Sequence, residues 1–375
     1  MRIAIVTTGR FHVLDLAREL AALGHDVRFY SYVPRARARQ FGLDVKYHRN
    51  LLPWVLPLLA LHGRLPRSCG PALEAMVQRV VDRVAARWLE PCDVFIGMSG
   101  LCVRSAQAAR RKYGAKIILE RGSRHILSQK EILEDIPGMA VPAVPQFNVD
   151  RELWGYEFAD VVAIPSRHVE RSFLEHGFPA VKLFRNPYGV DLTMFPPTFK
   201  PQSSVPTLIF VGTWSKRKGC DLLVEALQNQ PWRLIHAGSV EDLALPVMPN
   251  FTSLGMVNQA RLAEVYQKAD VCVLPSREDG FGLVLCQAMA CGLPLVCTNR
   301  TGGEDLAEIV KDPLLVTIVP PDDVAALRSG IELALTRAGR QPIWRDALGA
   351  ARENLCWSAY GSRYDAELRR RVGLS

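Results

Sequence analysis

The chain lacks any apolar run long enough to cross a membrane. A span needs ~18–20 such residues, and the longest stretch, Leu51 to Leu61, is broken by Pro53 and Pro57. The start does not read as a signal peptide, because Ile3–Thr8 passes straight into polar sequence without a small-residue cleavage site. No two of the nine cysteines (69, 92, 102, 220, 272, 286, 291, 297, 356) form a C-x-x-C pair. Their odd number and mostly apolar surroundings read as reduced thiols of a cytosolic protein. Cys286, Cys291 and Cys297 are expected to pack as small hydrophobes and not to hold metal. There is no G-x-x-x-x-G-K-[ST] loop, which disfavours an ATPase. Repeats, low-complexity tracts and recognised nucleic-acid modules are also missing, so no nucleic-acid partner is expected. What remains is a globular protein expected in the cytoplasm.

What is present fits that class. The 375 residues are 49% hydrophobic and 22% charged, enough for two well-packed domains. The net charge of +8 is uneven: residues 1–195 hold 27 Lys+Arg against 19 Asp+Glu, and the rest hold 19 of each. Residues 28–73 contain eight basic residues and one acidic, Asp44. An anion recognised through net charge is therefore met by the first half.

Short β-branched runs alternate with amphipathic stretches almost throughout. Expected strands are 3–8, 27–31, 93–99, 117–121, 161–166 and 181–186, with helices such as 13–23, 72–89 and 169–176 between them. This rhythm implies an α/β fold with a parallel sheet covered by helices on both faces. At Phe195–Pro206 it lapses into a Pro- and Ser-rich linker, and a second series begins at Thr207. The reading is two doubly wound domains, 1–195 and 196–356, facing across a cleft, with a tail at 357–375 expected to pack back on the first.

Two stretches carry the chemistry. In Leu274–Gly292 a buried strand ends, an acidic pair follows, and Gly280-Phe281-Gly282 opens a helix. Glycines there let a ligand approach the backbone, and free N–H groups at the helix start favour an anion. Asp279 and Gln287 lie eight apart, roughly 800° of helical rotation, so both can address one ligand from one side. In Phe210–Gly219 a strand leads into three consecutive cations, Lys216, Arg217 and Lys218, and then a helix. Cations beside free N–H groups suit a diphosphate. Taken singly, each stretch also fits an ordinary turn: a capped Gly-rich one in the first case, a solvated basic one in the second.

Together with Ala159–Phe173 and Asn186–Asp191, these stretches occur in the order found in retaining glycosyltransferases of family 4. The chain resembles that family over nearly its whole length, most densely in residues 160–310. The resemblance implies the GT-B fold, built of two Rossmann-like domains. It also implies a nucleoside diphosphate sugar donor bound by the second domain and a hydroxyl acceptor bound by the first. Lys218, with Lys216 or Arg217, would hold the pyrophosphate, and Gly280, Phe281, Gly282 and Leu283 would meet sugar and phosphate through their backbone. Asp279 stands at the family position that contacts sugar hydroxyls and Gln287 at the one that holds the ribose. Both positions are Glu in the family pattern; Glu278 could compensate for Asp279 only by turning the other way. Gly9 lies in the first domain's cleft loop, and Thr213 stands where many relatives carry a basic residue. His125 resembles the histidine that bonds the donor sugar near the reacting centre, with Glu120, Arg121 and Arg124 as neighbours. Catalytic roles thus fall to His125, Asp279 and Lys218. Neither a cofactor nor a metal is expected.

On the acceptor side, Arg35, Arg37 and Arg39 precede the apolar stretch that carries Trp54. Such a pair suits an anionic membrane surface and a glycan or lipid-linked acceptor, as in bacterial surface polysaccharide or lipopolysaccharide synthesis. A solvated basic helix before a buried core helix fits the same residues. Two other functions stay open: a non-catalytic nucleotide-sugar-binding or partner protein, and a nucleotide-sugar epimerase, which would need no acceptor.

Overall fold

The computed structural model describes residues 1–62, 69–139, 142–197, 205–311, 315–338, 349 and 352–373. The centre of the expected linker, 198–204, lies outside them. Seven strands form the first sheet: β1 (Arg2–Val6), β2 (Asp26–Ser31), β3 (His48–Asn50), β4 (Val94–Met98), β5 (Lys116–Glu120), β6 (Val161–Ile164) and β7 (Leu183–Arg185). They are all parallel, in the order β3-β2-β1-β4-β5-β6-β7. Residues 3–6 and 94–97 are buried on both faces, as a helix-covered parallel sheet requires. Around it lie α1 (Phe11–Ala22), α2 (Arg35–Gln40), α3 (Leu52–His62), α4 (Gly70–Trp88), α5 (Arg104–Tyr113), α6 (Ile126–Glu134), α7 (Gln146–Phe158) and α8 (Arg167–Glu175).

The second sheet repeats the plan with β8 (Thr207–Val211), β9 (Arg233–Ala237), β10 (Phe251–Ser253), β11 (Val271–Leu274), β12 (Leu295–Thr298) and β13 (Val316–Val319). Its order is β10-β9-β8-β11-β12-β13, again parallel. Its helices are α9 (Cys220–Leu227), α10 (Gln259–Tyr266), α11 (Leu283–Ala290), α12 (Gly303–Val310) and α13 (Val324–Ala338). In each sheet the strand order reverses beside the first strand, the crevice where α/β sheets bind ligands.

The last helix, α14 (Trp357–Val372), returns to the first sheet's side and packs on α1. A Cβ at Gly361 would lie 2.4 Å from that of Glu19, so only glycine allows this approach. Tyr360, Tyr364 and Leu368 are buried there, each contributing roughly 1.5–3 kcal/mol. The two halves also meet through ion pairs from α8 and β7 to α12: Arg171 with Glu304 at 2.8 Å, and Arg185 with the buried Asp305 at 2.6 Å.

Some elements are shorter than their apolar patterns suggest. The stretch 181–186 begins as a turn on Pro179, with Val181 exposed, and becomes strand only at Leu183. The run from Phe251 stops at Ser253, because Gly255 turns the chain at φ +64°. Within Leu51–Leu61, Leu51 and Val55 are buried, but Trp54 and Leu56 stay more than half exposed. The helix is therefore only partly core. All nine cysteines are free, seven of them buried. Burial pushes the Cys92 and Cys220 thiols up to about 12, so they are protonated at neutral pH.

Candidate functional site

Between the sheets lies a cavity of about 620 Å³. The first half contributes Arg10, His12 and Arg121 to its wall, and the second contributes Gln259, Leu283 and Gln287. Arg10 donates to Gln259 Oε1 at 2.9 Å, bridging the two sides.

On the donor side, the β8–α9 loop is held by backbone geometry. Gly219 has φ +70°, and a Cβ there would sit 2.0 Å from the Pro275 carbonyl oxygen. This close approach sets Lys218 beside Asp279, and the two are ion-paired. Burial alone would raise the Asp279 pKa, but the Lys218 ammonium and its hydrogen bond outweigh it and hold the carboxyl below the usual range. Asp279 Oδ1 also accepts from the Gly282 N–H at 3.1 Å, at the start of α11. The other loop cations turn elsewhere. Arg217 pairs with Glu278 at 3.1 Å, and Lys216 Nζ donates to the Pro137 carbonyl at 2.6 Å. Thr213 Oγ1 lies 3.0 Å from Ser239 Oγ.

Glu278 does turn the other way. It is fully buried and accepts from Ser123 Oγ and from Gln129 Nε2 (3.4 Å) of the first half. Next to it, Gly280 is pressed against that half. A Cβ would stand 1.7 Å from the Gly122 carbonyl oxygen, and the Gly280 carbonyl accepts from Ser166 Oγ at 2.6 Å and lies 3.0 Å from His168 Nε2. The GFG stretch is thus a seam between the halves as well as a helix start. Phe281 is buried and meets Tyr188 edge-on. Gln287 lines the cavity, and its Oε1 accepts from the buried Tyr266 hydroxyl at 3.1 Å. That contact leaves the amide N–H groups to a ligand.

The first half departs from the sequence expectation at His125. The chain turns after β5, and His125 becomes the residue preceding α6, its backbone N–H donating to Ser172 Oγ at 2.9 Å. Its ring packs among Tyr156, Phe173 and His176 and is not part of the cavity wall. Burial, then His176 and Arg121, depress its pKa to about 3. Arg121, by contrast, lines the cavity and pairs with the buried Glu152 at 2.7 Å. The structure also brings forward His12, which sequence reasoning passed over. Its Nε2 is 2.8 Å from Glu120 Oε2, and Glu120 accepts from the Tyr364 hydroxyl of α14 at 2.6 Å. Gly9 precedes this pair in the β1–α1 loop, its carbonyl accepting from Thr7 Oγ1 at 3.3 Å. Phe11 starts α1 at φ +36°, a costly conformation for a non-glycine residue. Its ring borders the cleft and a second cavity of about 380 Å³, which also takes in Glu74, Gln78 and Asn148.

Arg35, Arg37 and Arg39 lie on α2, which packs on β3. Trp54 instead sits on α3 against Trp88 of α4, with ring centroids 6.2 Å apart. Among the described residues, no group of His, Cys, Asp and Glu is arranged to hold a metal.

Two doubly wound parallel sheets facing across such a cleft form the GT-B fold, seen also in sucrose-phosphate synthase from Thermosynechococcus elongatus (TM-score 0.74, 20% identity, all of both chains). Anabaena Alr3699/HepE, solved in complex with UDP and glucose, shares it (TM-score 0.64, 14% identity, 99% of this chain and 100% of that one). Residues 8–189 match the family described as Glycosyl transferase 4-like domain, and residues 205–337 match Glycosyl transferases group 1. The chain belongs to this glycosyltransferase family. A D-inositol 3-phosphate glycosyltransferase of Xylanimonas cellulosilytica is 28% identical over 92% of this chain and 87% of its own. An uncharacterized glycosyltransferase of Methanocaldococcus jannaschii is 31% identical over 46% of this chain, and the chain spans about half of its length (48%).

Proposed function

We propose that the protein transfers a sugar from a nucleoside diphosphate sugar to an acceptor hydroxyl, with retention of anomeric configuration and without a metal or cofactor. The observation that carries this reading is the Lys218–Asp279 pair at the start of α11, the helix whose Leu283 and Gln287 line the cleft that His12 and Arg121 also line. Lys218 and the α11 N–H groups supply fixed positive charge where a departing diphosphate forms. The bond from the anomeric carbon to the diphosphate breaks as the acceptor oxygen bonds to the same face. The acceptor's proton passes to the leaving phosphate oxygen, so no protein base is needed. Gln287 serves the ribose, and Asp279 holds Lys218 and the sugar.

The acceptor belongs in the second cavity, where Glu74, Gln78 and Asn148 provide hydrogen-bonding groups for a polyhydroxylated glycan. A role in surface polysaccharide or lipopolysaccharide synthesis, at the cytoplasmic membrane face, follows if that glycan is lipid-linked. No helix among the described residues is long and apolar enough to cross a membrane.

The test is release of nucleoside diphosphate from UDP-, GDP- and ADP-sugars, with and without a panel of sugar acceptors, and the anomeric configuration of the product by NMR. Acceptor-dependent release with retained configuration supports the reading. Release without acceptor and with an altered donor sugar supports the epimerase. No release by the wild type, with turnover appearing in Asp279→Glu/Gln287→Glu, supports the non-catalytic protein.

A further inference from the structure

A basic concavity on the first half shares no lining residue with the cleft. It is a shallow groove of about 810 Å³ between α4 and α5, walled by Arg83, Arg87, Arg104, Arg110, Arg111 and Lys112, with no carboxylate in its lining. Among the described residues, Arg110 alone of these cations has an ion-pair partner, Asp160 at 2.8 Å. Arg83, Arg87, Arg104 and Arg111 are exposed, and no contact to a carboxylate is seen for them among the described residues. The groove is built by the fold. Buried Asp82 of α4 accepts from the backbone N–H groups of Arg104 and Ser105, both at 2.9 Å, and so fastens the start of α5 against α4. Four guanidinium groups with no carboxylate partner among the described residues, on two locked helices, leave a strong field over this face.

Beside this groove the chain exposes large apolar side chains. Trp88 follows Arg87 directly and is 60% exposed, and its neighbour Trp54 is 53% exposed. Leu56, Leu61 and Met76 on the same α3–α4 pair are also more than 40% exposed. Arginines that point at anions, next to tryptophans that prefer the water–hydrocarbon boundary, fit the headgroup layer of an anionic bilayer. A soluble polyanion would use the cations and leave the tryptophans idle. The same helix reaches the acceptor side: Glu74 and Gln78 of α4 line the second cavity, and Arg87 lies 13 residues beyond Glu74, about 20 Å along the helix axis.

We propose that the α4–α5 groove, with Trp54 and Trp88, docks the protein on an anionic membrane surface and binds phosphate-bearing lipid headgroups. This rests on the membrane-face reading above and moves its contact from Arg35, Arg37 and Arg39 of α2 to the α4–α5 pair. The docked α4 would then present the second cavity toward lipid-linked acceptors.

The experiment is co-sedimentation with vesicles of phosphatidylcholine alone or with about 30 mol% of the anionic lipid phosphatidylglycerol, together with tryptophan emission. Wild type is expected to sediment with the anionic vesicles only and to shift its emission to the blue. Arg83→Glu/Arg104→Glu/Arg111→Glu is expected to bind at least tenfold more weakly, since each surface cation is worth about fivefold. Arg35→Glu/Arg37→Glu/Arg39→Glu is expected to bind within about twofold of wild type, well inside one cation's worth. Trp54→Phe/Trp88→Phe should lose most of the blue shift, and all variants are first checked for unchanged melting. If wild type ignores anionic vesicles, the membrane reading itself fails. If wild type binds and the α4–α5 variant binds equally well, the reading survives and this groove is not the site. Equal binding of heparin with no vesicle-specific blue shift would overturn the lipid assignment.

Discussion

The cations of the cleft and those of the α4–α5 groove are arranged in opposite ways. In and beside the cleft they are committed to carboxylates: Lys218 to Asp279, Arg217 to Glu278, Arg121 to Glu152 and Arg10 to Asp15. In the groove Arg83, Arg87, Arg104 and Arg111 stand in solvent with no carboxylate partner among the described residues. Paired cations are preorganised, which is what stabilisation of developing charge requires. Unpaired ones are a field that acts over a surface and weakens with salt. The net charge of the first half therefore reports its outer face and says little about where chemistry occurs.

The sharpest way to break the cleft arrangement is at its seam. Gly280→Ala puts a Cβ against the Gly122 carbonyl, so the halves must separate. We expect a loss of about 3 kcal/mol in denaturant unfolding and at least a ~100-fold fall in turnover from misplaced groups. A variant of the groove, Arg83→Glu, should change neither when assayed with a water-soluble acceptor.

Removing Lys218 separates its two jobs. Lys218→Ala should lower turnover ~100- to 1,000-fold and also destabilise the fold, because Asp279 loses its partner. Lys218→Met/Asp279→Asn should recover most of the melting temperature and none of the turnover. Recovery of both would mean that the pair is structural only.

The buried histidines of the first half carry a pH signature that the arginines of the groove cannot share. His125 and His168 are buried, with pKa values depressed to about 3 and about 4. Unfolded they titrate near 6.5, so the unfolded chain binds more protons between the two values. Stability is fully present above pH 6.5 and falls as pH drops toward 4, by up to about 1.4 kcal/mol per pH unit for each histidine. Urea midpoints from pH 7 to pH 4.5 measure this, and His125→Phe should flatten part of the slope.

The smallest effect expected is at Gln287. Glu there keeps the hydrogen bond from Tyr266 and restores a charge toward the ribose. Donor affinity should tighten about threefold, read by titration calorimetry.

These residues also show what sequence made legible. The strands could be read because both faces are buried, so Ile3–Val6, Val271–Leu274 and Leu295–Cys297 are unbroken apolar runs. The GFG stretch could be read as glycines at a helix start, but not as a seam, because what approaches Gly280 is the Gly122 carbonyl of the other half. His12 could not, because what gives it a place is Glu120, 108 residues away, and Tyr364, 244 residues beyond Glu120. His125 invited a cleft role from its place after a strand, but a short turn at Arg121–Arg124 swings it into an aromatic cluster. Local pattern shows where a strand ends and not how the next turn rotates. The α4–α5 groove was hidden for a similar reason. Its six cations belong to two helices whose register is set by Asp82, a single buried carboxylate.

The central claim is that the paired cleft binds a nucleoside diphosphate sugar through Lys218. The direct measurement is the shift in melting temperature with UDP-, GDP- and ADP-sugars at equal concentration, for wild type and Lys218→Ala, each against its own unliganded melt. One nucleotide series should stabilise wild type, by ~2.7 kcal/mol at a hundred times its Kd, and the shift should vanish in the variant. An equal shift in both proteins, or none in wild type, would contradict the account.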